Sequence, residues 1–426
     1  MVVVTSVWQV VVTLLGLVLL PQPAAALPQP AAATLRTNRT GPQDSTTSGH
    51  RFSQAHFRFS LDLYGALVNR SRQPNANMLF SPVGVAALLS PLLHAHNPLL
   101  TQQIRQVLRY SNMTREEIDD GHRTMVENFA DAYYKNDLRL AYRMFLQEGS
   151  SWAESAPDLY PPTTTQEVNF HNNGTEVLRG INRWVTEVTT VDVGAPLMQT
   201  PTVQVDALGA LRVYYSGRWL HRFDPNLTFD KGLFYITSEE RFEIPMMVGR
   251  VQVPLGYSAE LEVRVLELPY AARRVSMFLL LPDHADHGLA ALEHNITPDN
   301  IKALLSTLKE ERVNVRVPRF RVDVVPPLQD ALVSLGLTAL FPPPLDDHPT
   351  LLLHDILHRA VCEVVERGED WTAPSASGGH QVGTFGDKYF EVDHPFIFFV
   401  WDYIGSAVVL MGRVVTPVPI LLPMDN

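Results

Sequence analysis

Phe396–Val415 reads FIFFVWDYIGSAVVLMGRVV. Whether this run crosses a membrane or folds back on itself decides what kind of protein the chain makes, because its length approaches that of a membrane span. Asp402 and Arg413 interrupt the apolar run, and Tyr403-Ile404-Gly405-Ser406 has the composition of a turn. A charge at mid-membrane is costly, whereas two strands joined by a tight turn bury the same apolar residues inside a protein. The stretch is therefore expected to be a β-hairpin in the core of a globular domain.

Upstream, runs rich in β-branched or aromatic residues recur at Arg212–Tyr215, Leu261–Leu268, Val275–Leu281, Val313–Val317 and Ala360–Val365. Helical periodicity covers Ala55–Asn69, Ser81–His94, Pro98–Leu108, Val177–Thr189, Asp299–Leu308 and Pro327–Leu335. The two kinds of segment alternate irregularly, with no internal repeat and no βαβ rhythm. This composite predicts a mixed α/β (α+β) domain built on large antiparallel sheets.

The ends and the composition set the compartment. Met1–Leu20 is almost wholly apolar and is followed by Pro21 and Ala24-Ala25-Ala26, the pattern of a secretory signal spanning residues 1–26. Residues 27–50 are rich in Pro, Ala, Thr and Ser and poor in hydrophobic mass, so they are expected to be disordered. The folded unit is expected over residues 51–418, with 419–426 as a tail. Six N-x-S/T sequons, at Asn38, Asn69, Asn112, Asn173, Asn226 and Asn295, fit a glycosylated, secreted protein. A single cysteine, Cys362, excludes an internal disulfide, so burial alone must hold the fold together. The formal charge is −11 and only five of the 34 basic residues are Lys, a balance that argues against nucleic acid as a partner.

Several stretches in order along the chain are similar to the signatures of the serpin family. They are Asn77–Leu89 (NMLFSPVGVAALL), Ile181–Val185 (INRWV), Tyr215–Pro225 (YSGRWLHRFDP), Pro245-Met246-Met247, Leu266–Tyr270 (LELPY), Phe278–Pro282 (FLLLP), Val315–Phe320 (VRVPRF) and Asp393–Phe398 (DHPFIF). The resemblance implies a serpin fold with three β-sheets, surrounding helices and an exposed reactive-centre-like loop at about 366–392. In that family a protease cuts the loop, which then inserts as a new strand into the central sheet and carries the trapped enzyme with it.

The loop of this chain departs from that pattern. Inhibitory members resemble E-E-G-T followed by small residues, whereas here the hinge reads Glu366-Arg367-Gly368-Glu369-Asp370-Trp371-Thr372-Ala373-Pro374-Ser375. Insertion would bury Glu369 without an evident partner, Trp371 adds bulk, and Pro374 removes a ladder donor from a central strand. No Arg or Lys lies between Arg367 and Lys388, so trypsin-like enzymes find no bait there. In the sheet-opening region Ser81 and His358 match the family's buried hydrogen-bonding positions, but Gly84 and Leu211 stand where Ser and Asn are expected. Trp219 matches the Trp at the top of the sheet.

The resemblance is nearest to a secreted non-inhibitory member and then to a plasmin-inhibiting one. It implies an extracellular binding and signalling factor, with a matrix component such as collagen and a cell-surface receptor as partners. A heparin contact is not expected, because Thr186–Gly194 (TEVTTVDVG), where the similar protein is lysine-rich, carries no basic residue. A monomer without cofactor, metal or stable protease complex is expected, and catalysis is not. His354-Asp355-Ile356-Leu357-His358 imitates a zinc-protease motif, but Asp replaces the Glu base and a strand pattern follows. His94 with His96 and His284 with His287 read as surface pairs, and Cys362 as a buried, inert thiol. A protease inhibitor that tolerates this hinge is the competing reading.

Overall fold

The computed structural model describes residues 42–71, 73, 75–95, 97–129, 137–151, 153–154, 164–189, 206–341, 353–368 and 387–420. Its strands are β1 (Met78–Phe80), β2 (Leu138–Gln147), β3 (Thr165–Val168), β4 (Ala207–Tyr215) and β5 (Phe229–Tyr235). Then come β6 (Arg241–Ser258), β7 (Val263–Pro269), β8 (Val275–Pro282), β9 (Lys309–Pro318) and β10 (Phe320–Val324). The last are β11 (Ile356–Val364), β12 (Lys388–Glu391), β13 (Phe396–Asp402), β14 (Ala407–Val414) and β15 (Val418–Pro419).

The opening stretch is a hairpin, with β13 and β14 antiparallel and Asp402 opposite Ala407. Asp402 makes the turn by accepting the N–H groups of Ile404 and Gly405 at 3.0 and 2.9 Å. The hairpin lies one strand in from the β1 edge of a nine-stranded sheet ordered β1-β14-β13-β8-β7-β6-β9-β12, with β5 also on β6. Two of the three expected sheets are thus continuous. The reason is β6, whose first residues pair with β5 and whose last pair with β7, while β9 pairs with the stretch between, Met246–Leu255.

The six-stranded sheet is ordered β15-β10-β11-β4-β2-β3. Its inner face, through Val213, Ala360 and Cys362, packs against Leu266, Val315 and Phe398 of the larger sheet. Helix Pro42–Arg70 supplies Phe57, Leu63 and Tyr64 to a second core region shared with Phe399 and Met411 of the hairpin. Helix Phe170–Thr189 covers part of the outer face of the smaller sheet, seating Ile181 and Val185 on Phe145, Leu208 and Leu357.

Three expected boundaries move. The first helix starts at Pro42, inside the stretch 27–50 expected to be disordered, and proline is well placed in a first helical turn. The domain extends past residue 418, because Pro419 pairs with Phe320 and the Ile420 carbonyl accepts from Arg319 Nε at 2.7 Å. The loop is shorter than 366–392, since β12 pairs in parallel with β9 and the Val392 N–H reaches the Arg316 carbonyl at 2.9 Å. The leader 1–26, Asn38, Asn426 and the hinge residues Glu369, Asp370, Trp371 and Pro374 lie outside the described residues.

Candidate functional site

The site is the seam between β4 and β11 and the point where the loop leaves its head. The two strands pair directly in parallel, from Gly209 opposite Ile356 to Tyr215 opposite Cys362. No strand stands between them, so the seam is closed.

Beneath the seam the structure brings together Ser81, Gly84, Leu211 and His358, all buried. His358 Nε2 accepts the backbone N–H of Ser81 at 3.0 Å, so the proton sits on Nδ1, which donates to the Leu211 carbonyl at 3.2 Å. Burial holds this imidazole down to a pKa of about 4, against the raising effect of the Leu211 contact, so it is neutral at pH 7. The Ser81 hydroxyl donates to the Val409 carbonyl at 2.8 Å and accepts from Gly84 N–H at 3.2 Å, capping helix Pro82–Leu89. Serine and histidine therefore meet through backbone and ring, not as nucleophile and base. Gly84 and Leu211 form an apolar lock, because a Cβ on Gly84 would lie 2.5 Å from Leu211 Cδ1.

Trp219 lies at the head of the seam, away from that cluster. Its ring stacks on Tyr270 with centroids 4.3 Å apart, and Phe223 meets it edge-on. Indole Nε1 donates to the Val365 carbonyl at 2.7 Å and its backbone N–H to the Arg367 carbonyl at 2.9 Å. The loop's root is thus tied to a fixed aromatic stack.

Glu366 is 4% exposed. Its Oε1 accepts from Arg319 Nη1 at 2.9 Å and from the Thr228 hydroxyl at 2.7 Å. A buried carboxylate is tolerable when paired in this way. Arg367 donates to Asp137 Oδ1 at 2.7 Å, and Arg218 Nε shares the same buried carboxylate at 3.1 Å. Gly368 passes so close that a Cβ there would lie 2.6 Å from the Trp219 carbonyl oxygen, which only glycine avoids. Sequence reading singled out Glu366 and Gly368 but not Arg319 and Thr228, which hold Glu366, nor Asp137, which holds the neighbouring Arg367. Arg319 was visible only as part of the VPRF motif, and nothing local marks Asp137.

The other candidates fall elsewhere. Asn69, Asn112, Asn173, Asn226 and Asn295 are all exposed, Asn173 at a non-helical kink with φ −129°. His284 and His287 stack on each other at the surface, and His94 pairs with Asp119 at 3.0 Å; His96 lies outside the described residues. His354 and His358 are not on a helix, because β11 begins at Ile356. Cys362 is fully buried, which pushes its thiol pKa well up and leaves it no thiolate character.

A closed two-sheet body with a loop leaving the head of a parallel seam defines the serpin class, and residues 54–417 match the family described as Serpin (serine protease inhibitor). The chain belongs to the serpin family. Leukocyte elastase inhibitor of Sus scrofa is 28% identical over 396 residues, covering 86% of this chain and all of the relative. Serpin B3 of Homo sapiens is 25% identical, again over 86% of this chain and over 99% of the relative. Among solved structures, maspin superposes with TM-score 0.75 at 21% identity, covering 87% of this chain and 100% of maspin. Uncleaved ovalbumin gives 0.74 at 22%, covering 86% and 100%.

Proposed function

We propose that the chain is a secreted, non-inhibitory serpin that acts by binding rather than by trapping proteases. The observation that carries this reading is the root of the loop. Glu366 is held by Arg319 and Thr228, Arg367 by Asp137, and Val365 by Trp219, and the sequence that follows, Glu369-Asp370-Trp371-Thr372-Ala373-Pro374, is unsuited to a buried strand. Burying the unpaired Glu369 would cost several kcal/mol, enough to slow an insertion that must outrun release of the protease.

Gly368–Ser375, Gly383-Thr384-Phe385 and Asp393–Phe396 resemble pigment epithelium-derived factor. That likeness supports anti-angiogenic and trophic signalling through a matrix component such as collagen and a cell-surface receptor. Secretion is supported by the apolar residues 1–20, the alanines ahead of position 27 and the sequons.

A second reading is a secreted inhibitor of the plasmin-inhibitor-like type. Leu138–Gln147 resembles that serpin, and one relative bears the name of an elastase inhibitor. Its loop would have to be cut after a non-basic residue, since no Arg or Lys lies between Arg367 and Lys388. Incubation with trypsin-like and elastase-like proteases separates the two: no SDS-stable complex is expected, and a stable covalent complex would favour the inhibitor.

A further inference from the structure

Between helix Phe170–Thr189 and strands β2 and β3 runs an open cleft of about 620 Å³, a volume typical of sites that take small organic ligands. Asn173, Val177, Gly180, Trp184 and Glu187 follow at steps of three or four residues, so they share one face of the helix, and all line the cleft. Arg143 and Phe145 of β2 and Gln166 of β3 face them.

One end of the cleft is built on Trp184. Arg143 lies 4.6 Å from the centre of its ring and donates from Nη1 to Gln166 Oε1 at 2.9 Å, while Phe145 meets the ring edge-on. Trp184 stays partly exposed, and its Nε1–H, like the side chains of Arg183 and Glu187, has no partner among the described residues. Between Asn173 and Trp184 the floor is open, because no described atom lies within 4 Å of where a Cβ on Gly180 would stand. An indole ringed by uncommitted polar groups suits a sugar, whose C–H face lies on the ring while its hydroxyls pair with guanidinium, amide and carboxylate.

The cleft has a sugar source of its own. Asn173 is exposed, stands in the sequon Asn173-Gly174-Thr175 and marks the break in helical φ/ψ. Trp184 is about 16 Å further along the helix at 1.5 Å per residue, a span for the core of an N-linked glycan and too long for a single sugar. We propose that the glycan on Asn173 folds back along the helix into this cleft, seats a core sugar on Trp184 and fastens the helix to β2 and β3. The helix also seats Ile181 and Val185 on Leu208 of β4 and Leu357 of β11, so the glycan holds in place an element that straddles the seam. The proposal rests on the secretion part of the reading above and is independent of the non-inhibitory part.

The full chain is expressed in secretory cells and treated, still folded, with a peptide-N-glycosidase, and release at each sequon is timed by mass spectrometry. The tryptic glycopeptide of the same site supplies the unhindered rate. A glycan seated about nine-tenths of the time is available to the enzyme about a tenth of the time. Relative to its own glycopeptide, Asn173 should therefore lag the occupied sites among Asn69, Asn112, Asn226 and Asn295 by about tenfold. Trp184→Ala should abolish the lag. So should Gly180→Leu, which fills the floor without weakening the helix, leucine being the better helix former; it carries the comparison if Trp184→Ala does not fold. Release at Asn173 as fast as elsewhere, a lag that survives Gly180→Leu, or a bare Asn173 beside other occupied sequons would overturn the proposal and leave secretion standing. Bare asparagines at every sequon would overturn both.

Discussion

Gly84→Ala, made alone and beside Leu211→Ala, shows whether the lock beneath the seam is what the geometry says. In the wild type the new methyl group would lie 2.5 Å from Leu211 Cδ1 and 3.1 Å from Leu140 Cδ1, with Leu211 fully buried. Overpacking of this kind costs about 1–3 kcal/mol. Replacing a helical glycine by alanine also gains about 1 kcal/mol, in either background. Leu211→Ala alone should cost about 2–5 kcal/mol through lost contacts and a cavity. In that background the clash is gone, so Gly84→Ala should become stabilising. The propensity gain cancels in the double-mutant cycle, leaving a coupling of about 1–3 kcal/mol from the contact alone. Urea unfolding of the four proteins, followed by far-UV circular dichroism, supplies the values. Additivity within about 0.5 kcal/mol would refute the lock.

Acid should loosen the fold through three buried imidazoles. Burial holds His56 and His358 near pKa 4 and His122 near 3. Their folded pKa values lie below the unfolded value of about 6.5, so the unfolded chain binds more protons in this window, and each contributes up to about 3 kcal/mol that is lost as pH falls from 6.5 towards 4. Urea midpoints should drop from pH 7 to pH 5, and a flat profile would contradict this. Glu366→Ala leaves Arg319 buried without its carboxylate and should cost about 3–5 kcal/mol, most of it recovered by adding Arg319→Met; a single-mutant loss below about 1 kcal/mol would show the pair to be idle. Expression in secretory cells should give protein in the medium that shrinks with an N-glycosidase, whereas an uncleaved membrane-bound product would contradict the leader reading.

The hairpin was legible because its physics is local: Asp402 both breaks the apolar run and makes the turn. Helix Arg115–Phe129 was not identified, since its apolar residues are sparse, although Thr114 and Glu117 form a capping box readable from their spacing. The long β6 was hidden by its mixed middle, Gly249-Arg250-Val251-Gln252, where only one neighbouring strand pairs. At the site, the residue types of the seam cluster were visible, but the packing of Gly84 on Leu211 depends on strands far apart in sequence. The clamps on Glu366 and Arg367 were illegible for the same reason: Arg319 lies 47 residues away and Asp137 lies 230 away.

The non-inhibitory reading stands or falls on whether the cut loop enters the sheet. Intact protein and protein cleaved between Ala376 and Phe385 are compared by thermal melting, after confirming by SDS electrophoresis that the protease has been released. With the seam closed and the hinge carrying Glu369, Trp371 and Pro374, the two melting curves should nearly coincide and no covalent complex should form. A large upward shift on cleavage, accompanied by an SDS-stable protease complex, would contradict the proposal and make the chain an inhibitor.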